Sequence, residues 1–339
     1  MKLSILIPMY NSEELIGNCL DSLLIQNLPK EDYEIIIIDD ESSDKSVEIV
    51  QDYAKKYTNI SLVLQKNAGT FTTRNRLLKL AKGDYIYNLD ADDYIVHHCL
   101  GDLLAIAENN DLDIIGFKSN DTVELDEFEL TETIDPKSST VTTGTEFLEA
   151  NPHYTFAIWW YFVKRDLLEE KGTFFNDNQY SADVMFTTTL FLGAKKMTVL
   201  PNEIHRYVLT PDSLMRSDDY EIISKRVNNF HAAALSMNGL IKCLNAESAE
   251  KNDGVIRNLK FRRDVLSFFN ITDMIAKHFP IKDIKAKIED LKREDAFPLS
   301  YFIGETYNSP KYRVLTFVIN NKKLLYLILS VKSIFFKTR

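Results

Sequence analysis

Cysteine is scarce: Cys19, Cys99 and Cys243 are the three in 339 residues, far apart and without a Cys-x-x-Cys pair. An odd, scattered set supplies neither a disulfide framework nor a zinc site, and buried reduced thiols are the plain reading. Net positive charge is lacking too. A formal charge of −10 excludes a broad nucleic-acid footprint, which needs clustered Lys and Arg to neutralise phosphates; an anionic ligand would have to meet a local cation or a metal. No glycine-rich turn follows the first apolar run, where Pro8-Met9-Tyr10-Asn11 stands instead, and this excludes the phosphate cradle of a nicotinamide-dependent oxidoreductase or a nucleotidyltransferase. There is no internal repeat, no low-complexity tract, and no apolar run of the about 20 residues a bilayer span needs. The run from Met1 to Pro8 lacks a longer hydrophobic region and a small-residue cleavage site, so it reads as a first buried strand rather than a signal peptide.

What is present is an alternation. Short β-branched runs at Leu3 to Ile7, Glu34 to Ile38, Ile60 to Leu64, Tyr85 to Leu89 and Asp113 to Phe117 are separated by stretches with apolar residues at helical spacing. Those stretches are Glu13 to Gln26, Lys45 to Tyr57 (with Asp44 as its N-cap), Thr70 to Ala81 and Val96 to Asn109. The first, second and fourth runs look buried on both faces, as parallel strands are. The pattern predicts an α/β fold with a doubly wound, mostly parallel sheet flanked by helices. Around Asp121 to Thr143 the chain turns acidic, Thr-rich and irregular; Gly144 to Glu149 then opens a helical segment leading into Ala157 to Arg165. From Tyr220 to about Leu291 it reads helical throughout, with Val265, Phe268, Phe269 and Ile271 as a core stripe.

Residues 312–339 are different. Leu324 to Phe336 is strongly apolar but interrupted by Lys332 and flanked by Lys322, Lys323, Lys337 and Arg339. Such a segment either lies in a membrane interface with its lysines at anionic headgroups, a peripheral contact, or docks on the protein as a terminal helix.

In an open parallel sheet, ligands bind beyond the carboxyl ends of the strands. Three such ends carry polar residues: Pro8-Met9-Tyr10-Asn11, Asp39-Asp40-Glu41-Ser42-Ser43-Asp44, and Asp90-Ala91-Asp92-Asp93. Clustered carboxylates repel and stay protonated unless a cation sits among them, and Mn²⁺ or Mg²⁺ with open positions for phosphate oxygens is the natural partner. A strand-end carboxylate can also accept a hydrogen bond from an imide N–H such as that of uracil; Asp40 is the candidate, with Tyr10 covering the base. Arg74, on the helix before the fourth strand, could hold phosphate oxygens bidentately.

Taken together, Pro8 to Asn11, Ile38 to Asp44, Arg74-Asn75, Gly83-Asp84-Tyr85-Ile86 and Leu89 to Asp93 resemble the family 2 (GT-A fold) glycosyltransferases of bacterial surface-polysaccharide assembly, over roughly residues 1 to 215. The resemblance implies an inverting transfer of a hexosyl or N-acetylhexosaminyl group from a nucleotide-sugar donor to a glycan or lipid-linked glycan acceptor, in the cytoplasm or at the inner face of the cell membrane. It assigns Asp40 to the donor base, Asp90 to the ribose side, Asp92 to the divalent metal and Asp39 to the adjoining turn, with Pro8, Tyr10, Asn11 and Arg74 completing the nucleotide site. Asp183, in Tyr180-Ser181-Ala182-Asp183-Val184-Met185-Phe186, takes the place of the catalytic base; a helix N-cap is its structural alternative. Residues 1–118 would form the nucleotide-sugar-binding part, 119–215 the acceptor-binding part, and 216–339 a helical C-terminal region.

Three positions depart from the family pattern. Leu77 stands where Gly follows Arg-Asn, Ala182 where a Glu precedes the base, and Val208 where an Arg is expected, with Arg206 or His205 as substitutes. His205 could alternatively ligate the metal or simply neighbour a loop. Trp159, Trp160 and Arg206 are acceptor-side candidates, the two tryptophans being equally readable as core. Two other classes stay open: a nucleotide-sugar-binding protein without turnover, and a membrane-docked scaffold.

Overall fold

The computed structural model describes residues 1–137, 140–172, 174–175, 182–210, 219–248, 252–304 and 306–336. In chain order the elements are β1 (Leu3–Met9), α1 (Ile16–Leu24), β2 (Tyr33–Asp39), α2 (Ser46–Lys56), β3 (Ile60–Leu64), α3 (Thr70–Leu80), β4 (Tyr85–Asn88), β5 (Tyr94–Ile95), α4 (Leu100–Asn110), β6 (Ile114–Thr122), α5 (Gly144–Ala150), β7 (Tyr161–Lys164), α6 (Arg165–Lys171), α7 (Ala182–Gly193) and β8 (Met197–Val208). The helices α8 (Tyr220–Ser248), α9 (Asp253–Ala276), α10 (Ile281–Arg293), α11 (Pro310–Asn320) and α12 (Lys322–Phe336) follow. The chain divides into two compact units: Met1–Phe147 with Thr155–Asn178 and Ala182–Arg216 form the first, and Leu148–Tyr154 with Ser217–Arg339 belong to the second.

The first unit is built on one eight-stranded sheet of order β3-β2-β1-β4-β7-β6-β8-β5. The N-terminal half, β3-β2-β1-β4, is parallel throughout. Its strands read as continuous apolar runs because helices cover both faces: Leu3, Ile5, Leu6 and Ile7 of β1 and Ile35, Ile37 and Ile38 of β2 are fully buried. Of the other half the sequence reading placed only β6, as the run Asp113 to Phe117. There β7 pairs antiparallel with β4 and β6, β8 runs parallel to β6, and the two-residue β5 closes the edge against β8. β7 lies inside the stretch taken to continue a helical segment, and Tyr161, Phe162 and Val163 at its centre are buried.

Strand order reverses about β1, so the carboxyl ends of β1, β2 and β4 open on one side, the usual place for a ligand in such sheets. Close approaches hold those ends in register. Asp40 N–H donates to Met9 O at 2.9 Å and Leu89 N–H to Leu6 O at 3.0 Å. Asp44 starts α2 as expected, though one residue before the formal cap: its Oδ1 accepts from Ser46 N–H at 3.0 Å while Oδ2 accepts from Glu13 N–H at 3.0 Å. One side chain thus ties the β1 and β2 loops together.

The second unit's helices enclose a separate apolar cluster of Ile223, Val227, Phe268, Ile271, Ile288 and Phe302, among others. Phe268 and Phe302 stack at 3.8 Å. Phe269, read as core, is instead 39% exposed and meets Phe302 and Tyr307 edge-on. The helical stretch is interrupted after α9, where His278 has φ 59° and Pro280 precedes α10. Cys19 and Cys99 are buried free thiols, while Cys243 is exposed, unlike the expectation for all three.

Candidate functional site

The loop after β1 is locked to the loop after β2. Asn11 sits in the left-handed region (φ 48°); its N–H donates to Ser42 Oγ at 2.9 Å and its Oδ1 accepts from Ser43 N–H at 2.8 Å. Asp39 Oδ2 accepts from Ser42 N–H at 3.1 Å, shaping that turn, while Oδ1 is buried without a hydrogen-bond partner among the described residues. Pro8 lies at the end of β1, and Tyr10 beyond it is 54% exposed at the mouth.

Asp40 is buried, and its carboxylate is already engaged. Oδ1 accepts from Gln65 Nε2 at 2.7 Å and Ala68 N–H at 2.8 Å, and Oδ2 from Gly69 N–H at 2.9 Å. Gly69 adopts φ 85°, a backbone state glycine takes without penalty, and this lets consecutive amides point at one carboxylate. Asp40 therefore anchors the loop leading into α3, a role the sequence reading did not give it; one lone pair of Oδ2 is left over for an imide donor.

Beyond β4, Asp90, Asp92 and Asp93 crowd together. Arg74, projecting from α3 with little exposure, donates from Nη2 to Asp90 Oδ1 at 2.5 Å. The guanidinium lies 5.7 and 5.8 Å from the rings of Phe71 and Phe175, which stack on each other, and the aromatic pair favours a cation beside it. Burial, then Asp90 and Asp93, push the Asp92 carboxyl up to about 7. Burial, with Asp90 next, pushes Asp93 up to about 8. Asp93 Oδ1 accepts from Val208 N–H at 2.9 Å; its Oδ2 is buried without a hydrogen bond, 3.2 Å from His205 Nε2.

Asp183 stands in the first turn of α7 rather than at its N-cap, and its Oδ1 accepts from Val184 N–H at 3.0 Å. Burial raises its carboxyl above the usual range, opposed by Arg74 and supported by Asp90. The same guanidinium and the same carboxylate thus act on both Asp92 and Asp183, although α7 lies about ninety residues further along the chain. Ala182 beside it is buried, and Tyr180 and Ser181 fall outside the described residues.

Several acceptor-side candidates are used otherwise. Arg206 is buried, and its guanidinium donates to the backbone oxygens of Glu127 at 3.2 Å and Glu203 at 3.0 Å; those bonds fix β8 to the 124–128 loop and correct its acceptor assignment. Trp160 is also core: its indole N–H donates to Thr155 O at 3.1 Å and its ring covers Gly116. Trp159 is half-buried, its ring parallel to that of His205 at 4.3 Å. His205 is fully buried, held near neutral by a pKa pushed down to about 3 through desolvation, and shares a hydrogen bond with Ser119 Oγ at 2.8 Å. Neither His205 nor Arg206 replaces the arginine missing at Val208. Pro211, Asp212 and Ser213 lie outside the described residues.

A sheet of this order with an Asp-x-Asp segment at the carboxyl end of β4 has the GT-A architecture. Residues 4–170 match the sequence model of glycosyl transferase family 2 and form a domain of that family. It is 34% identical over 260 residues to a poly(ribitol-phosphate) beta-glucosyltransferase of Bacillus spizizenii, covering 74% of this chain but only 38% of that longer protein. Among solved structures it resembles residues 1–349 of TarS from S. aureus in complex with UDP-GlcNAc (TM-score 0.56, 22% identity, 87% of this chain and 92% of that one). It also resembles a mannosyltransferase of Pyrobaculum calidifontis in complex with GDP-Man and Mn²⁺ (TM-score 0.54, 16% identity, 100% and 88%). At these identities the structural likeness speaks for the fold.

Proposed function

We propose that this chain is an inverting, cation-assisted glycosyltransferase that moves a hexosyl or N-acetylhexosaminyl group from a nucleoside diphosphate sugar, UDP-linked in preference, to a hydroxyl of a glycan or lipid-linked glycan. The observation that carries this reading is the Asp90-Ala91-Asp92 segment at the carboxyl end of β4, with Arg74 bonded to Asp90, in a sheet of GT-A order. Arg74 and Asp90 bias the Asp92 and Asp183 carboxyls alike, which supports a base and a metal-suited carboxylate in one site.

The residues fit a divalent ion, Mn²⁺ or Mg²⁺. Three crowded acids, two of them raised into the neutral range and one with an orphaned buried oxygen, are relieved by a cation. No group of three His, Cys, Asp or Glu suited to a metal occurs among the described residues, so Asp92 would hold the ion with diphosphate oxygens and water completing its shell, as Mg²⁺-type sites often do. Once bound, the ion supplies neutralisation of the charge on the departing diphosphate. Pro8, Tyr10, Asn11 and Asp40 would receive the nucleoside and Asp90 its ribose side, with Arg74 fixing Asp90 and facing phosphate oxygens. Asp183 would take the proton of the acceptor hydroxyl as that oxygen attacks the anomeric carbon in line; burial raises its basicity, and one displacement inverts configuration. Trp159 is the platform left for an acceptor sugar ring. The nucleotide sugars named with TarS and the mannosyltransferase, and the Mn²⁺ of the latter, support this assignment. The surface-polymer acceptor named for the Bacillus relative supports a setting in envelope polysaccharide assembly, at the cytoplasmic face of the membrane.

Calorimetric titration with UDP, GDP and dTDP, each with Mn²⁺ and with chelator, tests the donor site. One nucleotide should bind in a metal-dependent way, and Asp92→Ala should abolish that dependence. Asp183→Asn should retain nucleotide binding while transfer falls about 10²- to 10⁴-fold. Unchanged transfer would remove Asp183 from the mechanism; binding without transfer by the wild type, across a panel of donors and acceptors, would favour a nucleotide-sugar-binding protein instead.

A further inference from the structure

The segment 310–339 carries seven basic residues, Lys311, Arg313, Lys322, Lys323, Lys332, Lys337 and Arg339, and no Asp or Glu, in a chain whose formal charge is −10. Its helices α11 and α12 dock on their own unit by one side, Ile319, Leu325 and Leu329 entering the cluster around Phe268 and Phe302. Their other side is apolar as well, and it faces solvent. Val314 is 62%, Phe317 64%, Leu327 63% and Ile328 44% exposed. Val314 and Phe317 are three residues apart on α11 and so share a face; Lys311 and Arg313 are exposed on the same helix, and Lys323 is exposed one turn before Leu327.

Lys322 is paired with Glu289 of α10 at 2.5 Å, which leaves Lys311, Arg313 and Lys323 beside the exposed apolar side chains, and large apolar side chains standing in water beside basic ones do not make an ordinary solvated surface. We propose that the outward face of α11 and α12 docks on an anionic lipid bilayer. In that arrangement Val314, Phe317, Leu327 and Ile328 enter the boundary between headgroups and acyl chains, while Lys311, Arg313 and Lys323 reach the lipid phosphates. Charge selects this occupant: α11 and α12 carry basic residues and no acidic one on an acidic protein, and an anionic leaflet offers a negative layer directly over an apolar one. Long Lys and Arg stems suit this geometry because they lie along apolar surface while keeping the charge at the phosphates. The contact is peripheral, since among the described residues no helix is long and apolar enough to cross a membrane. The inference does not depend on the catalytic assignment.

Co-sedimentation with vesicles tests it. The full chain should pellet with phosphatidylcholine vesicles containing phosphatidylglycerol at least about tenfold more than with phosphatidylcholine alone. Raising salt from about 0.1 M to 1 M should release it, because the screening length shrinks from about 10 Å to 3 Å. Phe317→Ser with Leu327→Ser should cut binding about tenfold while leaving the circular dichroism spectrum unchanged, both side chains being exposed. If that variant folds poorly, Lys311→Glu with Lys323→Glu serves the same purpose. Failure of the wild type to bind phosphatidylglycerol vesicles, or equal binding by the variants, would overturn the proposal. A dimer in light scattering that the serine variant abolishes, without vesicle binding, would overturn it in favour of a second copy of the chain.

Discussion

In protein freed of divalent cations, ionising Asp93 puts a negative charge in a buried site crowded by Asp90, so Asp93→Asn is expected to stabilise the fold, and by more at pH 8 than at pH 5. The sign follows from linkage. The folded-state pKa of Asp93 is raised from 3.8 to about 8, so between those values the folded chain holds a proton that the unfolded chain has released, and stability falls as pH rises. Asp92, raised from 3.8 to about 7, adds the same slope over its own window. Each group contributes at most about 1.4 kcal/mol per pH unit. From pH 5 to 8 the Asp93 contribution is therefore at most about 4 kcal/mol, of which roughly half is expected once water and neighbouring groups relax. The variant should retain the bonding: Asn Oδ1 can accept from Val208 N–H, now 2.9 Å from Asp93 Oδ1. Its amide can donate to the lone pair of neutral His205 Nε2, while the His Nδ1–H turns to Ser119 Oγ, 2.8 Å away. Urea unfolding in chelator at pH 5, 6, 7 and 8 measures the effect. The wild type should lose stability steadily over that range, the variant much less; superimposable pH profiles would refute the assignment of a buried, reluctantly ionised Asp93.

Arg74→Gln should leave Asp90 without its 2.5 Å partner and cost roughly 2 kcal/mol, the partial exposure of Asp90 discounting the larger penalty of a fully buried charge. Because Arg74 also holds the Asp183 carboxyl down, the acidic limb of the pH–rate profile should move to higher pH; a limb that stays put separates Arg74 from the base. Asp40→Ala removes the acceptor of two loop amides and Gln65, worth roughly 1–3 kcal/mol, and amide exchange at Ala68 and Gly69 should accelerate, whereas unchanged exchange would mean the loop is held elsewhere. Trp160→Ala should destabilise by roughly 3–5 kcal/mol as a core truncation. Trp159→Ala should mainly raise the KM for acceptor, and equal stability losses in urea would erase that distinction.

The parallel half of the sheet was legible because β1, β2 and β4 are buried on both faces and their apolar runs are unbroken. The acids after those runs were legible for the same reason: once the strands are placed, their carboxyl ends are placed. In the antiparallel half only β6 was legible. β7 has four residues and follows a helical stretch, β5 has two, and each depends on pairing with strands distant in sequence, which no local period records. Asp40 shows the limit at a single residue. Its strand-end position was readable, but the three hydrogen bonds that occupy it come from residues 65–69, whose loop conformation turns on the positive φ of Gly69. Trp159 and Trp160 are adjacent, so no sequence signal separates the half-buried ring from the one packed over Gly116; the backbone direction of β7 decides.

The departures from the family pattern acquire a physical meaning in this setting. Val208 is buried and contributes its backbone N–H to Asp93, so β8 braces an acid here. His205 cannot supply the missing charge, since a pKa near 3 keeps it neutral, and Arg206 spends its guanidinium on carbonyls. Among the described residues Arg74 is the cation bonded to the acidic cluster, through Asp90, with the stacked rings of Phe71 and Phe175 beside it. Ala182 is likewise buried, and Asp183 is the acid in the first turn of α7. One base and one arginine leave little redundancy: in this reading, substituting Asp183 removes proton transfer, and substituting Arg74 alters both the metal end and the base end of the site at once.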